Sequence, residues 1–427
     1  MEILDVLRRY VEPAAGCTEA AAVALAAAAA REPTGGAIRS IEVVADKNVL
    51  RNALSAVVPG AAGEPGIKLT AALGAVGGDP HLGLQVLNPV DEADLSVARG
   101  LVAEGAVSVR LDKRARRLSV QVTVRAAEGT GRAVIEDSHA NITAVELNGR
   151  PTFRPAAKER QRDAQSSKAT GDWVRNVSVS ELISRVRAME PAALEYTRQG
   201  IEMNKRVADE GLAQSPGLGI GAKLACSDAS GARDLGLAAQ TLTAAAVDAR
   251  MAGLPLPVMT SSGSGNQGIM ITLPSLAVAR AFGLPEERLV RSVALGHLLL
   301  ARFCEELGPL TPLCGSALHA AAASSAAITH LLGGGPAQVE QAVAIVLGTQ
   351  AGILCDGAKP SCAVKAASGA QLAVHAAQLA MANLQVGSGN GLMGRGLVEL
   401  IEDVVVLAEA MEKASDQVLD ILARDAG

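Results

Sequence analysis

Residues 117–147, RLSVQVTVRAAEGTGRAVIEDSHANITAVEL, contain three short segments in which apolar and polar side chains alternate. Alternation with a period of two places the apolar side chains on one face of a strand, so residues 117–126, 132–137 and 141–147 are predicted strands. Ile38–Asp46 and Val107–Asp112 show the same pattern upstream, with helical stretches between them. Residues 1–150 are therefore predicted to form an α+β domain with antiparallel strands.

The chain changes character after this region. Residues 149–172 contain Pro151 and Pro155 and then a polar run, so we predict a flexible connection over residues 151–172. Ser178-Val179-Ser180-Glu181 is a capping-box sequence, and helical patterns continue from there to the C-terminus. We expect a mostly α-helical portion over residues 173–427.

Composition limits the classes of function. Hydrophobic residues make up 49% of the chain, but only six residues are aromatic, so the core is predicted to consist of Ala, Leu, Val and Ile in closely packed helices. A net charge of −5 without basic runs argues against a nucleic-acid partner. We see neither a secretory signal nor a membrane-spanning run, so we expect a cytoplasmic protein with no membrane partner.

Six cysteines in such a chain favour packing, metal binding or catalysis over disulfides. Cys355 and Cys362 bracket a loop that contains Gly and Pro, and Cys314 lies 41 residues before Cys355, where a helical pattern restarts. Thiolates select zinc, Cu(I) or iron–sulfur clusters, and three cysteines leave a coordination position open for catalysis. Buried cysteines that only fill the core, or a closed zinc site completed by Cys304 or His319, are the alternatives.

Cys17 directly precedes the predicted helix that starts at Thr18. The amide groups and dipole at a helix N-terminus stabilise a thiolate and lower the pKa of the thiol, which would suit a base or nucleophile. A small side chain that fills a tight turn explains Cys17 as well.

Polar clusters elsewhere are candidates for substrate binding. Ser261–Gly268 combines hydroxyls, amides and glycines between apolar residues, a composition suited to holding a carboxylate or phosphate. His139 and Asn141 fall between two predicted strands and could face a cleft, although a lone His is more often structural. Arg51 and Asn52 belong to a third polar cluster that could hold a carboxylate, or simply to an exposed helix start.

These motifs together resemble the L-cysteine desulfidase-like family, which is related to the catalytic part of iron–sulfur L-serine dehydratases. The resemblance covers nearly the whole chain, although Ala20 stands where the family usually has Pro. Its carriers are Gly16-Cys17-Thr18-Glu19, Asn48 through Asn52 with Pro59-Gly60, His139-Ala140-Asn141-Ile142, Asp248-Ala249-Arg250, Gly263 through Gly268, Cys314, Cys355-Asp356-Gly357 and Cys362.

The resemblance implies that Cys314, Cys355 and Cys362 hold a [4Fe-4S] cluster and that Cys17 is the proton acceptor. It implies a lyase that converts L-cysteine to pyruvate, ammonia and sulfide, with an open iron acting as Lewis acid. The first two helices, carrying Cys17, would then reach an active site in the catalytic domain of residues 173–427. Our candidates for binding the substrate are Ser262, Ser264, Asn266 and Gln267, followed by His139 and Asn141.

Other functions stay open at this level. L-serine dehydratase uses the same elimination with hydroxide leaving, and a pyridoxal-phosphate lyase would need a lysine such as Lys223 or Lys365. In a zinc protein without catalytic turnover, His319 would be the fourth ligand that completes a site with the three cysteines. In each enzymatic case the partner is a small amino-acid substrate, and a homo-oligomer is compatible with all of them.

Overall fold

The computed structural model describes residues 2–61, 63–115, 118–154, 157–227, 234–308 and 310–425. Two sheets are present in these ranges, one of six strands in the order β3-β2-β4-β5-β6-β7 and one that pairs β1 with β8. The strands are β1 (Pro13–Ala15), β2 (Ile38–Ala45), β3 (Val107–Leu111), β4 (Ser119–Ala126), β5 (Gly129–Glu136), β6 (Ile142–Leu147), β7 (Arg150–Phe153) and β8 (Pro257–Met259). The predicted α+β class is confirmed.

Helices occupy most of the remaining described chain. They are α1 (Ile3–Tyr10), α2 (Thr18–Arg31), α3 (Lys47–Ala53), α4 (Ile67–Gly77), α5 (Glu92–Ala103), α6 (Ala157–Asn176), α7 (Val179–Arg187), α8 (Pro191–Gln214), α9 (Ile220–Ser227), α10 (Leu235–Met251), α11 (Gly265–Phe282), α12 (Glu286–Leu307), α13 (Ala321–Leu331), α14 (Pro336–Gln350), α15 (Cys362–Met381), α16 (Leu397–Ala410) and α17 (Glu412–Asp425). Short 3₁₀ turns form at Pro80–Gln85 and Gly391–Gly394, and a π-helical turn forms at Gly315–Ala320.

The N-terminal layer consists of the six-stranded sheet covered on one face by helices. Val120, Val122 and Val124 of β4 are fully buried, while the alternate positions of the sheet carry charged pairs such as Arg110 with Glu42. Helix α2 packs against β4 and β5, and α4 packs against α2. The alternation that predicted the strands therefore matches the core face of the sheet.

The alanines of α2 allow a close helix crossing. Every residue from Thr18 to Ala30 is buried, and a Cβ atom at Gly74 of α4 would collide with the backbone of Ala24. A helix that is apolar on all sides belongs inside a core, and small residues let its neighbours approach. The scarcity of aromatic residues is thus compensated by close backbone packing.

A second core is built by the helices of the C-terminal part. It includes buried residues from Val174 to Ala408 and also Ile3, Val6, Leu7 and Val11, because α1 packs against α8 and α12. The β1–β8 pair continues this attachment, with the Thr260 amide donating to the Glu12 carbonyl at 2.8 Å. The N-terminal segment therefore starts in the helical core and enters the sheet core at α2.

Three details differ from the expectations. The β2–β3 pair is parallel within an otherwise antiparallel sheet, because α3, α4 and α5 intervene and return the chain in the same direction. The short strand β8 interrupts the helical part. The segment 151–172 contains the end of β7 and most of α6 instead of an irregular connection, and the end of α6 buries Val174 in the helical core.

No helix in the described ranges combines the length and apolar character that crossing a bilayer requires.

Candidate active site

A polar cavity of about 700 Å³, including its opening, lies where the two cores meet. One wall comes from the start of α2 and from α3, and the other comes from α10, α11 and the loops before α13 and α15. Its lining includes Cys17, Thr18, Glu19, Arg51, Asn52, Arg250, Ser264, Asn266, Gln267, Cys314, His319, Cys355, Asp356, Cys362 and Lys365. The four cysteines singled out in the sequence are therefore brought to one cavity.

Cys314 and Cys355 are held together by a short antiparallel bridge. Leu313 pairs with Leu354, the Cys314 amide donates to the Ile353 carbonyl at 2.7 Å, and the Cys355 amide donates to the Pro312 carbonyl at 2.7 Å. Alternation across this bridge puts both cysteines on the face opposite to the paired leucines, as diagonal neighbours. Both thiols therefore emerge on one face of this bridge and line the same cavity.

Cys362 completes this group from the first turn of α15. Its Sγ donates to the Gly357 carbonyl at 3.4 Å, and Gly357 has a φ of +95° that lets the loop turn beside the Arg51 backbone. A side chain at residue 357 would be strained and would collide with the Arg51 carbonyl. In the described part of the chain, no three His, Cys, Asp or Glu residues are grouped as ligands of a single metal ion.

Cations lie beside these thiols. Burial raises the pKa of Cys355, and the charge of Arg51 opposes that rise; burial also raises the pKa of Cys362, to about 12. Lys365 donates to Asp356 Oδ1 at 2.6 Å and to the Leu354 carbonyl at 2.9 Å. Metal binding at these thiols would have to displace their protons, and the neighbouring positive charges favour the thiolates that result.

On the opposite wall, Cys17 is paired with a carboxylate. It occupies the N-cap position of α2, and its Sγ donates to Glu19 Oε2 at 3.1 Å. Glu19 also accepts from Thr18 Oγ1 at 3.1 Å and, through Oε1, from Asn52 Nδ2 at 2.7 Å. The thiol proton thus has an acceptor whose position is fixed by two further hydrogen bonds.

The pKa of Cys17 differs from the sequence-based prediction. Burial and the negative charge of Glu19 raise this pKa well above its usual range, and Arg250 and the amide of Ala20 only oppose them. The predicted lowering of the Cys17 pKa by the helix N-terminus is therefore wrong, because burial raises this pKa more than the helix dipole lowers it. Cys17 is a thiol here, and a thiolate forms only when its proton is transferred.

Glu19 remains ionised although it is buried. Burial alone would raise its pKa, but the neighbouring His139 and the hydrogen bonds from Cys17 and Asn52 lower it. His139 Nε2 lies 3.9 Å from Glu19 Oε1, and burial lowers the pKa of His139 itself. The hydrogen bonds are therefore the stronger reason for the ionised carboxylate, since a neutral ring contributes little charge.

The loop before α11 turns sharply into the cavity wall. Ser261 and Ser264 form a bridge, and Ser262 has a φ of +47°, a strained value for a non-glycine residue. Ser264, Asn266 and Gln267 line the cavity, whereas Ser262 is buried with an Oγ that has no hydrogen-bond partner. Three of the four candidates from this loop are therefore at the cavity.

The two other substrate-binding candidates lie elsewhere. His139 is buried and packs against Gly263 and near Glu19, so it supports the wall from behind. Asn141 is exposed, and its side chain donates to the Glu136 carbonyl at 2.9 Å within the β5–β6 turn. Asn141 does not line the cavity, because it lies in the exposed turn before β6 and its side chain bonds within that turn.

Some residues of the wall were not among the sequence-based candidates. Glu19 and Arg250 were named only as members of motifs. Glu19 directly precedes the apolar run Ala20–Ala30, and Arg250 follows the apolar run Ala244–Val247 together with Asp248. A charge inside a fully apolar helix is costly to bury and is therefore a signal of function that the sequence offered.

Fold and site together define an α+β protein with a thiol-rich cavity between two cores. Comparisons with known proteins identify its family. Residues 155–420, which carry Cys314, Cys355 and Cys362, match the family model described as serine dehydratase alpha chain. The chain therefore belongs to the serine dehydratase alpha-chain family, which confirms the predicted relationship to iron–sulfur L-serine dehydratases and implies a lyase.

Other relatives match the chain over nearly its whole length. The chain is 39% identical to a UPF0597 protein of Desulforapulum autotrophicum over 98% of this chain and 97% of that protein. It is 34% identical to one of Caldanaerobacter subterraneus subsp. tengcongensis over 99% and 98%, respectively. It is 35% identical to one of Geobacter sulfurreducens over 98% and 97%.

Proposed function

We propose that the chain catalyses the β-elimination of L-cysteine to pyruvate, ammonia and sulfide, with a [4Fe-4S] cluster held by Cys314, Cys355 and Cys362. The observation that carries this proposal is the position of a carboxylate-paired thiol, Cys17, in the same cavity as three further thiols. Elimination requires a base at the α-carbon and an acceptor for the β-substituent on either side of one small molecule.

The residues present fit such a cluster. Three soft ligands share one cavity, and Arg51 and Lys365 offset the charge of three thiolates. When bound, the cluster would supply a Lewis-acidic iron that withdraws charge from the β-substituent. A closed zinc site with His319 has less support, because the described residues contain no ligand group for a single ion.

The chain's own residues perform the proton transfers. Glu19 accepts the Cys17 proton across their 3.1 Å hydrogen bond, and the Cys17 thiolate then removes the α-proton of the substrate. The electron pair of the Cα–H bond forms the Cα=Cβ bond while the Cβ–S bond breaks and its pair leaves with sulfide. The resulting enamine tautomerises to an imine, which water hydrolyses to pyruvate and ammonia.

The start of α11 holds the substrate during these transfers. Ser264 and Gln267 offer side-chain donors on the cavity wall, and the backbone amides at the start of α11, including that of Asn266, offer further donors for the α-carboxylate. Asn52 connects the two halves of the site, since it donates to Glu19 and its Oδ1 lies 3.9 Å from Cys355 Sγ. A shift of the loop that carries Cys355 would therefore change the hydrogen bonds around Glu19 and Cys17 through Asn52.

L-serine is the second candidate substrate, because the matching family model is described as a serine dehydratase chain. The same residues would act, with hydroxide leaving in place of sulfide. Neither substrate requires a redox change, since elimination moves one proton and one leaving group.

The test is anaerobic reconstitution with iron and sulfide, followed by assays on L-cysteine and L-serine. Pyruvate and sulfide should form in equal amounts from L-cysteine, and the protein should show a broad iron–sulfur absorption band. Pyruvate from L-serine alone would assign the second candidate. A sharp aldimine band, or stoichiometric zinc without turnover, would refute the proposal.

A further inference from the structure

Arg250 is a buried cation with unused hydrogen-bonding capacity at the cavity. It lies at the end of α10, is 4% exposed, and lines the cavity. Its Nη1 donates to Asn266 Oδ1 at 2.9 Å, but among the described residues neither Nε nor Nη2 makes a hydrogen bond. One edge of the guanidinium fork is therefore free.

The charge of Arg250 is also not neutralised by an ion pair. In the part of the chain that the structure describes, no carboxylate lies within ion-pair distance of it, although burial lowers its pKa and the charges of Cys17 and Glu19 oppose that change. A buried guanidinium without a pairing anion is costly. In the wall of a cavity, an anion from outside can complete such a group.

The free edge faces a second group of donors. A Cβ atom at Gly265, the first residue of α11, would collide with Nε of Arg250, so the fork lies directly against the helix start. Ser264 occupies the N-cap position without a side-chain capping bond, which leaves the first amides of this 18-residue helix without a cap. Guanidinium and helix N-terminus both favour a negative charge at one point.

Asn266 fixes the orientation of the fork. Its Oδ1 accepts from Nη1, and its Nδ2 lies 3.7 Å from Met251 Sδ. Because Nε is buried against Gly265, the donors left for a ligand in the cavity are the N–H groups of Nη2 and the second N–H of Nη1. This is a planar, two-donor arrangement that matches a carboxylate.

We infer that Arg250 binds the α-carboxylate of the substrate through its free edge, together with the first turn of α11, and thereby restricts the site to free α-amino acids. This inference rests on the proposed elimination and specifies its substrate class: amino acids with a free carboxylate are accepted, whereas their amides, esters and decarboxylated amines are rejected. Asn266 is then a positioning residue, since it acts through Arg250.

The inference is tested with Arg250→Lys, which keeps the charge but loses the planar fork. The KM for L-cysteine should rise by about 10²-fold or more, with a smaller change in kcat and normal iron content. The KM for L-cysteine methyl ester should be high in the natural protein and hardly altered by the substitution. An unchanged KM for L-cysteine would remove Arg250 from the site.

Two further variants separate a binding role from a loss of folding. Arg302→Lys is the matched control, because Arg302 is also buried with an unpartnered Nε but donates to the Val177 carbonyl outside the cavity lining. It should lower the unfolding temperature without raising KM. Gly265→Ala keeps Arg250 but displaces its fork, so it should raise KM as Arg250→Lys does; a normal KM in Gly265→Ala would contradict the inference.

A ligand-binding experiment distinguishes failure of this inference from failure of the proposed elimination. L-alanine, which has no leaving group, should raise the unfolding temperature of the natural protein, whereas L-alaninamide should not. The shift should disappear in Arg250→Lys and persist in Arg302→Lys. Equal shifts with both probes, or a shift retained in Arg250→Lys, would refute the inference whether or not the protein turns over L-cysteine.

Discussion

Replacing Cys17 with serine separates the base from the metal-binding cysteines. Cys17 is 2% exposed, its Sγ donates to Glu19 Oε2 at 3.1 Å, and a serine hydroxyl can keep this bond. The free energy of unfolding should therefore change by only about 1 kcal/mol. A serine hydroxyl is a much weaker acid than a thiol, so kcat should fall by roughly 10²–10⁴-fold, about 3–5 kcal/mol of barrier.

The assay compares Cys17→Ser with Cys355→Ser and with Cys226→Ser, a control at an exposed cysteine. Iron, acid-labile sulfide and pyruvate formation are measured under anaerobic conditions. Cys17→Ser should lose activity and keep iron, Cys355→Ser should lose both, and Cys226→Ser should keep both. If Cys17→Ser loses iron as fully as Cys355→Ser, Cys17 is a fourth ligand, and the mechanism with an open iron is wrong.

Three other predictions concern the acid–base pair, a buried histidine and the helix crossing. Glu19→Gln should lower kcat by about 10²-fold at normal iron content, because the base loses its proton acceptor; unchanged kcat would exclude that role. Burial, with help from nearby arginines, lowers the pKa of His330 from 6.5 to about 4. Between these two pH values the unfolded state binds more protons than the folded state. The free energy of unfolding therefore falls as the pH decreases from 6.5 to 4. His330→Gln should remove up to about 3 kcal/mol of that pH dependence, measured by urea unfolding at each pH. Gly74→Ala should destabilise by roughly 1–3 kcal/mol through its collision with Ala24, whereas Gly100→Ala, which meets open space in α5, should be stabilising by about 0.5–1 kcal/mol; equal melting temperatures would contradict this account.

The strands were predictable because their side chains alternate over a sheet with one covered face. The strands predicted over residues 132–137 and 141–147 correspond to Gly129–Glu136 and Ile142–Leu147 in the structure. The predicted start of α2 at Thr18 is also correct. The parallel β2–β3 pair was not predictable from alternation, since the pattern is the same for either strand direction. Direction depends on the helices between the strands and on where they pack.

Burial is what the sequence could not supply for the site. A helix N-terminus predicts a lowered pKa for Cys17, but the desolvation that raises it depends on residues from α2, α3 and α10 that meet only in the folded chain. The convergence of Cys17 with Cys314 across 297 positions has the same origin. Motifs predicted candidate residues that the fold brings to one cavity, whereas the direction of their pKa shifts depends on tertiary contacts.

The charges of the cavity divide into two groups with separate tasks. Arg51 lies beside Cys355 on the metal-binding side, Arg250 lies beside α11, and Nε of each is buried without a hydrogen-bond partner. Glu19, by contrast, accepts hydrogen bonds from Cys17, Thr18 and Asn52 and needs nothing from a ligand. Buried cations with a free donor beside a satisfied carboxylate favour anionic occupants, and the proposed thiolate-bound cluster and the proposed substrate carboxylate would both be anionic. Because each occupant binds only the folded chain, each should stabilise it in proportion to the logarithm of its concentration over its dissociation constant.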